Sequence, residues 1–237
     1  DRFRRVAMPD VSSMVGRRWL HESWGDRPVF LPEVNGEITN RDFFGGSLAG
    51  ITEKLDYLRG LGVTTLYLNP IFEAASNHRY DTADYRAIDP LLGSKEDFRA
   101  LCDGAHERGM RVILDGVFNH TGREFFAFQD IQKNRENSPY RDWYRGVNFG
   151  WGSPMGDSFG YEAWQGHFEL PCLNLYNQQV KDYLFDVIRF WVSEFDIDGI
   201  RLDAADVLDF DFMRVLRHTA DEVKKDFWLM GEVIHGD

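Results

Sequence analysis

The chain has 237 residues, 43% of them hydrophobic, 15% aromatic and 28% charged, which suits one α/β domain with a substantial core. Its net charge of −12, from 39 acids against 27 Lys and Arg, repels a polyphosphate and excludes nucleic acid as the expected partner. Cys102 and Cys172 form neither a disulfide framework nor a metal-like spacing; no eighteen-residue apolar run is present, nothing at the start resembles a signal peptide, and the expected location is cytoplasmic.

Residues 1 to 46 are irregular, with a small hairpin expected around Val29-Phe30-Leu31 and the Asn35-Gly36 turn. Ser47 caps a predicted helix running to about Arg59, followed by the Gly60-Leu61-Gly62 break and a strand from Val63 to Leu68. A polar loop covers Asn69 to Asp89. Ser94, with Asp97 three residues later, opens a helix that Gly109 stops after Arg108, and Arg111 to Leu114 is a strand ending at Asp115. Residues 119 to 171 show no clear periodicity and are read as a long loop or small subdomain overhanging the C-terminal end of the sheet. From Val180 to Phe195 the apolar residues Leu184, Val187, Ile188, Trp191, Val192 and Phe195 have the spacing of an amphipathic helix. A tight Asp196-Ile197-Asp198-Gly199 turn leads into an apolar strand, and a further helix precedes Phe227 to Val233. This helix, glycine, strand unit occurs four times, with strands near 63, 111, 199 and 227, so a parallel sheet with crossover helices is expected.

Two strands end on acids. Side chains repeat every two residues along a strand, so Arg201 and Asp203 share a face, and Glu232 lies at the same end of the next strand. Either acid alone reads as a helix cap or salt-bridge partner. Together, about 5–5.5 Å apart, they are what a retaining glycoside hydrolase requires: one carboxylate as nucleophile, one carboxylic acid as proton donor. Arg201 is expected to keep Asp203 ionised, and apolar surroundings to raise the pKa of Glu232. The aromatics of the irregular middle either stack on sugar faces or pack the loops. No glycine-rich phosphate loop follows a strand, which argues against a nucleotide site.

These residues carry a signature. Asp115-Gly116-Val117-Phe118-Asn119-His120, Gly199 to Asp206, and Gly231-Glu232-Val233 resemble, in order, three motifs of the α-amylase family of glycoside hydrolases. Leu170-Pro171-Cys172-Leu173-Asn174 and Arg79-Tyr80-Asp81 are similar to two further family segments. The resemblance implies that Asp203 is the nucleophile, Glu232 the acid/base and Arg201 the residue orienting Asp203. It implies sugar contacts from Tyr80, Asp81, Asp115, His120 and His235, with Tyr80 stacking at the cleaved bond.

The family fold is a (β/α)8 TIM barrel. The chain, residues 1–237, resembles a partial barrel of about strands 2 to 5, beginning near Asp1-Arg2-Phe3 at the exit of the first strand, with residues 119–171 as the insert after the third. The family's third carboxylate, from a later His-Asp motif, has no counterpart in it. The implied function is retaining hydrolysis of α-glucans and maltooligosaccharides. An inactive glucan-binding fragment and a transglycosylase using the same covalent intermediate are the alternatives. Asn119 stands where a calcium ligand is often found, but Asp206-Val207 replaces a Lys-His pair, and Gly45-Gly46-Ser47 lacks the acid of a second calcium turn. No cofactor and no required calcium are therefore expected, and Asn119 is balanced between a ligand and a loop-closing hydrogen bond. Partners expected are the oligosaccharide substrate and, through open sheet edges, other copies of the chain; no membrane partner is expected.

Overall fold

In the computed structural model, which describes residues 18–28 and 40–234, the four apolar runs pair side by side. In chain order the elements are β1 (Trp19–Leu20), β2 (Asp42–Phe43), α1 (Leu48–Thr52), α2 (Leu55–Gly60), β3 (Thr65–Leu68), β4 (Phe72–Ala74), β5 (Thr82–Ile88) and α3 (Lys95–Glu107). They continue with β6 (Arg111–Gly116), α4 (Phe126–Asn134), β7 (Ala163–Trp164), β8 (His167–Pro171), α5 (Gln178–Phe195), β9 (Gly199–Leu202), α6 (Phe210–Val223) and β10 (Trp228–Gly231). The main sheet runs β3, β6, β9, β10, all parallel. Each strand joins the edge its predecessor left open, and the order never reverses. This is the winding of a barrel wall, not of a doubly wound sheet.

Local chemistry sets the helix ends. Ser94 Oγ accepts from Asp97 N at 3.1 Å while Asp97 Oδ2 accepts from Ser94 N at 2.8 Å, a reciprocal cap that opens α3. At α5 the Asn177 side chain accepts from Gln179 and Val180, and the helix stops at Asp196 in left-handed conformation, φ 55°. Asp198 then pins the lower end of the sheet. Its carboxylate accepts from Val112 N at 2.8 Å and meets His106 Nε2 at 2.8 Å and Lys224 Nζ at 2.9 Å. At Gly199 a Cβ would sit 2.7 Å from Trp228 Cβ and O, so β9 and β10 approach closely only because no side chain intervenes.

Trp191 of α5 anchors the core. It is fully buried, stacks on Phe72 at 4.8 Å and donates from Nε1 to Tyr85 O at 2.7 Å. The long helix is thereby fastened to the segment between β3 and α3. Burying a large ring while satisfying its one N–H combines apolar gain with a fixed orientation.

Several expectations need correction. The predicted helix from Ser47 to Arg59 is two short helices, broken at Glu53–Lys54. Gly50, Ile51 and Thr52 are weak helix formers, and Thr52 Oγ1 donates back to Leu48 O at 3.1 Å. The strand expected from Val63 begins at Thr65. The predicted polar loop from Asn69 to Asp89 holds the antiparallel pair β4–β5, whose register shifts at both steps between Phe72 and Ala74. Such bulges destroy the two-residue alternation by which a strand is recognised. The stretch 119–171, expected as a long loop or small subdomain, is not corrected: it holds α4 and the β7–β8 hairpin. It packs around Phe128, Tyr144, Phe159 and Tyr161. The hairpin expected at Val29-Phe30-Leu31 and Asn35-Gly36, the Asp1-Arg2-Phe3 segment, and His235 lie outside the described residues.

Candidate active site

The parallel register places Asp115 of β6 beside Arg201 of β9. Arg201 NH1 donates to Asp115 Oδ1 at 2.8 Å and Oδ2 at 3.0 Å, and to Asp203 Oδ1 at 3.1 Å. Its NH2 reaches Glu232 Oε2 at 2.7 Å. One guanidinium thus contacts three carboxylates from three consecutive segments of the sheet's C-terminal end. The backbone fixes the acids further: Asp203 N donates to Gly116 O at 3.2 Å and Glu232 N to Leu202 O at 3.0 Å. Ala204 takes a left-handed conformation, φ 47°, and its N–H donates to Glu232 Oε2 at 2.9 Å.

Behind Arg201, two phenols meet on one oxygen. Tyr67 Oη donates to Asp115 Oδ2 at 2.6 Å and Tyr80 Oη to the same atom at 3.0 Å. The Asp115 side chain is wholly buried, and Arg201 Cζ lies 5.9 Å from the centre of the Tyr80 ring. Burial, reinforced by the Asp115 charge, pushes Tyr80 up to about 12 and Tyr67 well above the usual phenol range, so both remain donors. Burial disfavours the charge on Arg201, but the Asp115 hydrogen bond and charge outweigh it and raise its pKa.

Asp203 is corrected in sign. Burial and the nearby Asp115 charge push it up to about 6 against the opposing pull of Arg201. Arg201 does pull it down, by its charge and its hydrogen bond, but burial and the Asp115 charge outweigh that pull, so the expected net lowering does not occur. Nor is Glu232 in apolar surroundings: its carboxylate touches Arg201 and the Ala204 N–H, with 28% of the side chain exposed.

A cavity of about 500 Å³ opens over this cluster. Tyr80, His120, Arg201, Asp203 and Glu232 line it. Asp115 lies beneath, under Arg201. Asp81 stands apart: its buried carboxylate accepts from Ala75 N at 3.1 Å, Ser76 N at 3.0 Å and Ser76 Oγ. These bonds close the turn that carries Tyr80, and Gly122 packs so near that a Cβ there would lie 2.4 Å from Asp81 O. His120 is buried, and that burial pushes it down to about 3, so its ring is neutral. Its Nδ1 faces the Asn119 amide nitrogen at 3.2 Å, while its buried Nε2 has no protein partner.

Asn119 is itself buried, and its backbone carbonyl accepts from Leu173 N at 2.9 Å. Among the described residues no group of three His, Cys, Asp or Glu is arranged to hold a metal ion.

Sequence reasoning missed Tyr67, His78, Trp164, His167 and Glu169. Tyr67 carried a usable signal, because it has the parity of Ile113 and Asp115 across the β3–β6 register and so shares their face. His78, Trp164, His167 and Glu169 line the cavity from loop segments and the β7–β8 hairpin, where no regular period marks a facing direction.

Residues 16–237 match the family described as Alpha amylase, catalytic domain. The chain is 44% identical over 212 residues to the intracellular maltogenic amylase of Bacillus subtilis (strain 168), covering 90% of this chain and 34% of the relative. It is 46% identical over 207 residues to the cyclomaltodextrinase of Geobacillus thermopakistaniensis (strain MAS1), covering 86% and 34%. Among solved structures, the type III pullulan hydrolase of Thermococcus kodakarensis superposes with a TM-score of 0.82 at 42% identity, covering 92% of this chain and 37% of that one. This chain spans about a third of the length of the curated relatives it matches.

Proposed function

The chain belongs to the alpha-amylase family, whose catalytic domain is a (β/α)8 barrel, and from that premise we propose that it supplies the catalytic centre for retaining cleavage of α-glucosidic bonds in maltooligosaccharides. The observation that carries this reading is the single guanidinium of Arg201 joining Asp115, Asp203 and Glu232 beneath an open cavity. Asp203 attacks the anomeric carbon, and Glu232 protonates the leaving oxygen and then activates water. Solvent access to Glu232 supports proton uptake there. Arg201 orients both acids, Tyr80 offers its ring to the sugar, and His120 donates from Nε2. Asp81 acts through the turn it closes, and Asp115 through Arg201.

Residues 119–171 form a small subdomain inserted within the barrel, and its β7–β8 hairpin walls the cavity. The name of the B. subtilis relative supports a site of action inside the cell, and no helix among the described residues is long and apolar enough to cross a membrane. No cofactor enters this scheme. The chemistry needs only two carboxyl groups and water.

The test is to incubate the protein with maltoheptaose and follow the anomeric proton of the first product by NMR. Release of α-configured sugar that disappears in Asp203→Asn is the expected result. First product in the β configuration would overturn the retaining assignment, and absence of any sugar release would overturn hydrolysis.

A further inference from the structure

The parallel ladder between β9 and β10 slips by one residue beside the two acids. Up to that point it is regular: Trp228 N donates to Asp198 O at 2.9 Å and Glu232 N to Leu202 O at 3.0 Å. Bonds in a parallel pair are evenly spaced, so the next donor, to Glu232 O, would be Ala204 N. The donor is instead Ala205 N, at 2.9 Å. Ala204 is the residue in excess, and it takes the left-handed conformation, φ 47° and ψ 47°, which a residue bearing a Cβ disfavours.

Two contacts hold the slip in place. Val207 N donates to Ala204 O at 3.1 Å, closing a short turn, and Ala205 packs against Gly231, where an added Cβ would stand 3.0 Å from Ala205 Cβ. The slip releases the Ala204 N–H from the ladder, and it donates to Glu232 Oε2 at 2.9 Å. Arg201 NH2 reaches the same oxygen at 2.7 Å. Among the described residues no donor reaches Oε1. Backbone held in a disfavoured region next to reacting groups points to a role there.

We propose that the slip at Ala204 is a positioning device that fixes which oxygen of Glu232 carries the transferred proton. Two N–H donors occupy Oε2, so in the neutral acid Oε2 is the carbonyl acceptor and the hydroxyl is Oε1. In the first step the Oε1–H bond breaks as the proton passes to the leaving glycosidic oxygen, which keeps the electron pair of the broken C–O bond, while Asp203 bonds to the anomeric carbon. In the second, water returns a proton to Oε1 as its oxygen displaces Asp203. This rests on the maltooligosaccharide reading above and adds the residue that aims its acid; Ala204 acts through Glu232.

The test has two arms. In the first, kcat/KM is measured on maltotriose and on a dinitrophenyl α-maltoside for the wild type and three variants. Ala204→Val carries a branched side chain that disfavours the left-handed region, Ala204→Gly adopts that region freely, and a chain with the α-hydroxy analogue of alanine at this position has an ester oxygen in place of the N–H. Ala204→Val and the ester variant should lose at least about tenfold on maltotriose, the effect of losing a hydrogen bond to a charged group. They should change little on the dinitrophenyl substrate, whose leaving group needs little protonation. Ala204→Gly should keep the wild-type ratio between the two substrates. Equal losses on both substrates in the ester variant would overturn the proposal and leave the reading of the active centre standing. In the second arm, neutron diffraction of the wild-type protein at a pH where Glu232 is protonated should show the deuteron on Oε1. A deuteron on Oε2 would overturn the proposal, whether or not any variant folds. A wild-type protein that cleaves neither substrate would overturn the catalytic reading, and the deuteron would still decide where the proton is held.

Discussion

Tyr67 on β3 and Asp115 on β6 are joined across two strands by a 2.6 Å hydrogen bond, and through Asp115 the phenol acts on Arg201 and both proposed catalytic acids. In Tyr67→Phe, Asp115 loses one of its donors, and its charge bears more strongly on Asp203. Turnover of maltoheptaose should fall about tenfold or more, the scale of a hydrogen bond to a charged group. The acid limb of the pH–activity profile should also move upward from about 6, the value to which Asp203 is already raised. A purely structural tyrosine would lower activity without moving that limb.

Asp203→Asn and Glu232→Gln should fail differently. The first removes the nucleophile and should abolish turnover of every substrate. The second removes the proton donor, so maltotriose cleavage should be lost while aryl glycosides, whose leaving groups need little protonation, keep much of their bond-cleavage rate. Steady-state kinetics on both substrate types decide it; equal losses for Glu232→Gln would refute the assignment.

Asp203 should cost the fold stability at neutral pH. Its folded pKa, about 6, lies above the ordinary value of 3.8. Between those values the folded protein holds a proton that the unfolded chain has released, so stability falls as pH rises through that window. The full deficit, up to about 3 kcal/mol at about 1.4 kcal/mol per unit, is present at pH 7. Asp203→Asn should therefore raise the urea midpoint at pH 7 and give little gain at pH 4. An equal gain at both pH values would show that the charge is not responsible.

Among the described residues nothing pairs with the outer edges of β3 and β10, and β10 leaves Trp228 and Met230 half exposed. Unpaired strand edges beside apolar surface favour association. The isolated 237-residue chain should run as a dimer or larger species in size-exclusion chromatography with light scattering at low micromolar concentration. A monodisperse 27.6 kDa species with cooperative unfolding would refute this.

The sequence determined the frame. Four apolar runs, each preceded by an amphipathic helix, could form strands only in parallel, and the two-residue period put Arg201 and Asp203 on one face with Glu232 at the same end. Periodicity is local, and it is strongest where one face is buried along the element's whole length. The bulged β4–β5 pair and the short β7–β8 hairpin have no such run, so His78, Trp164 and Glu169 could not be placed. Only the tertiary structure decided the electrostatics. Arg201 was legible as a partner of Asp203, but its division among three acids depends on the β6–β9 register and on the return of the chain at Glu232. Burial and the Asp115 charge, which that register also brings close, outweigh the pull of Arg201 and are why Asp203 is raised and not lowered. Asp81 was displaced for a related reason: its motif position named a polar residue near the sugar, while the Ala75 and Ser76 N–H groups, brought round by the turn, claimed its carboxylate.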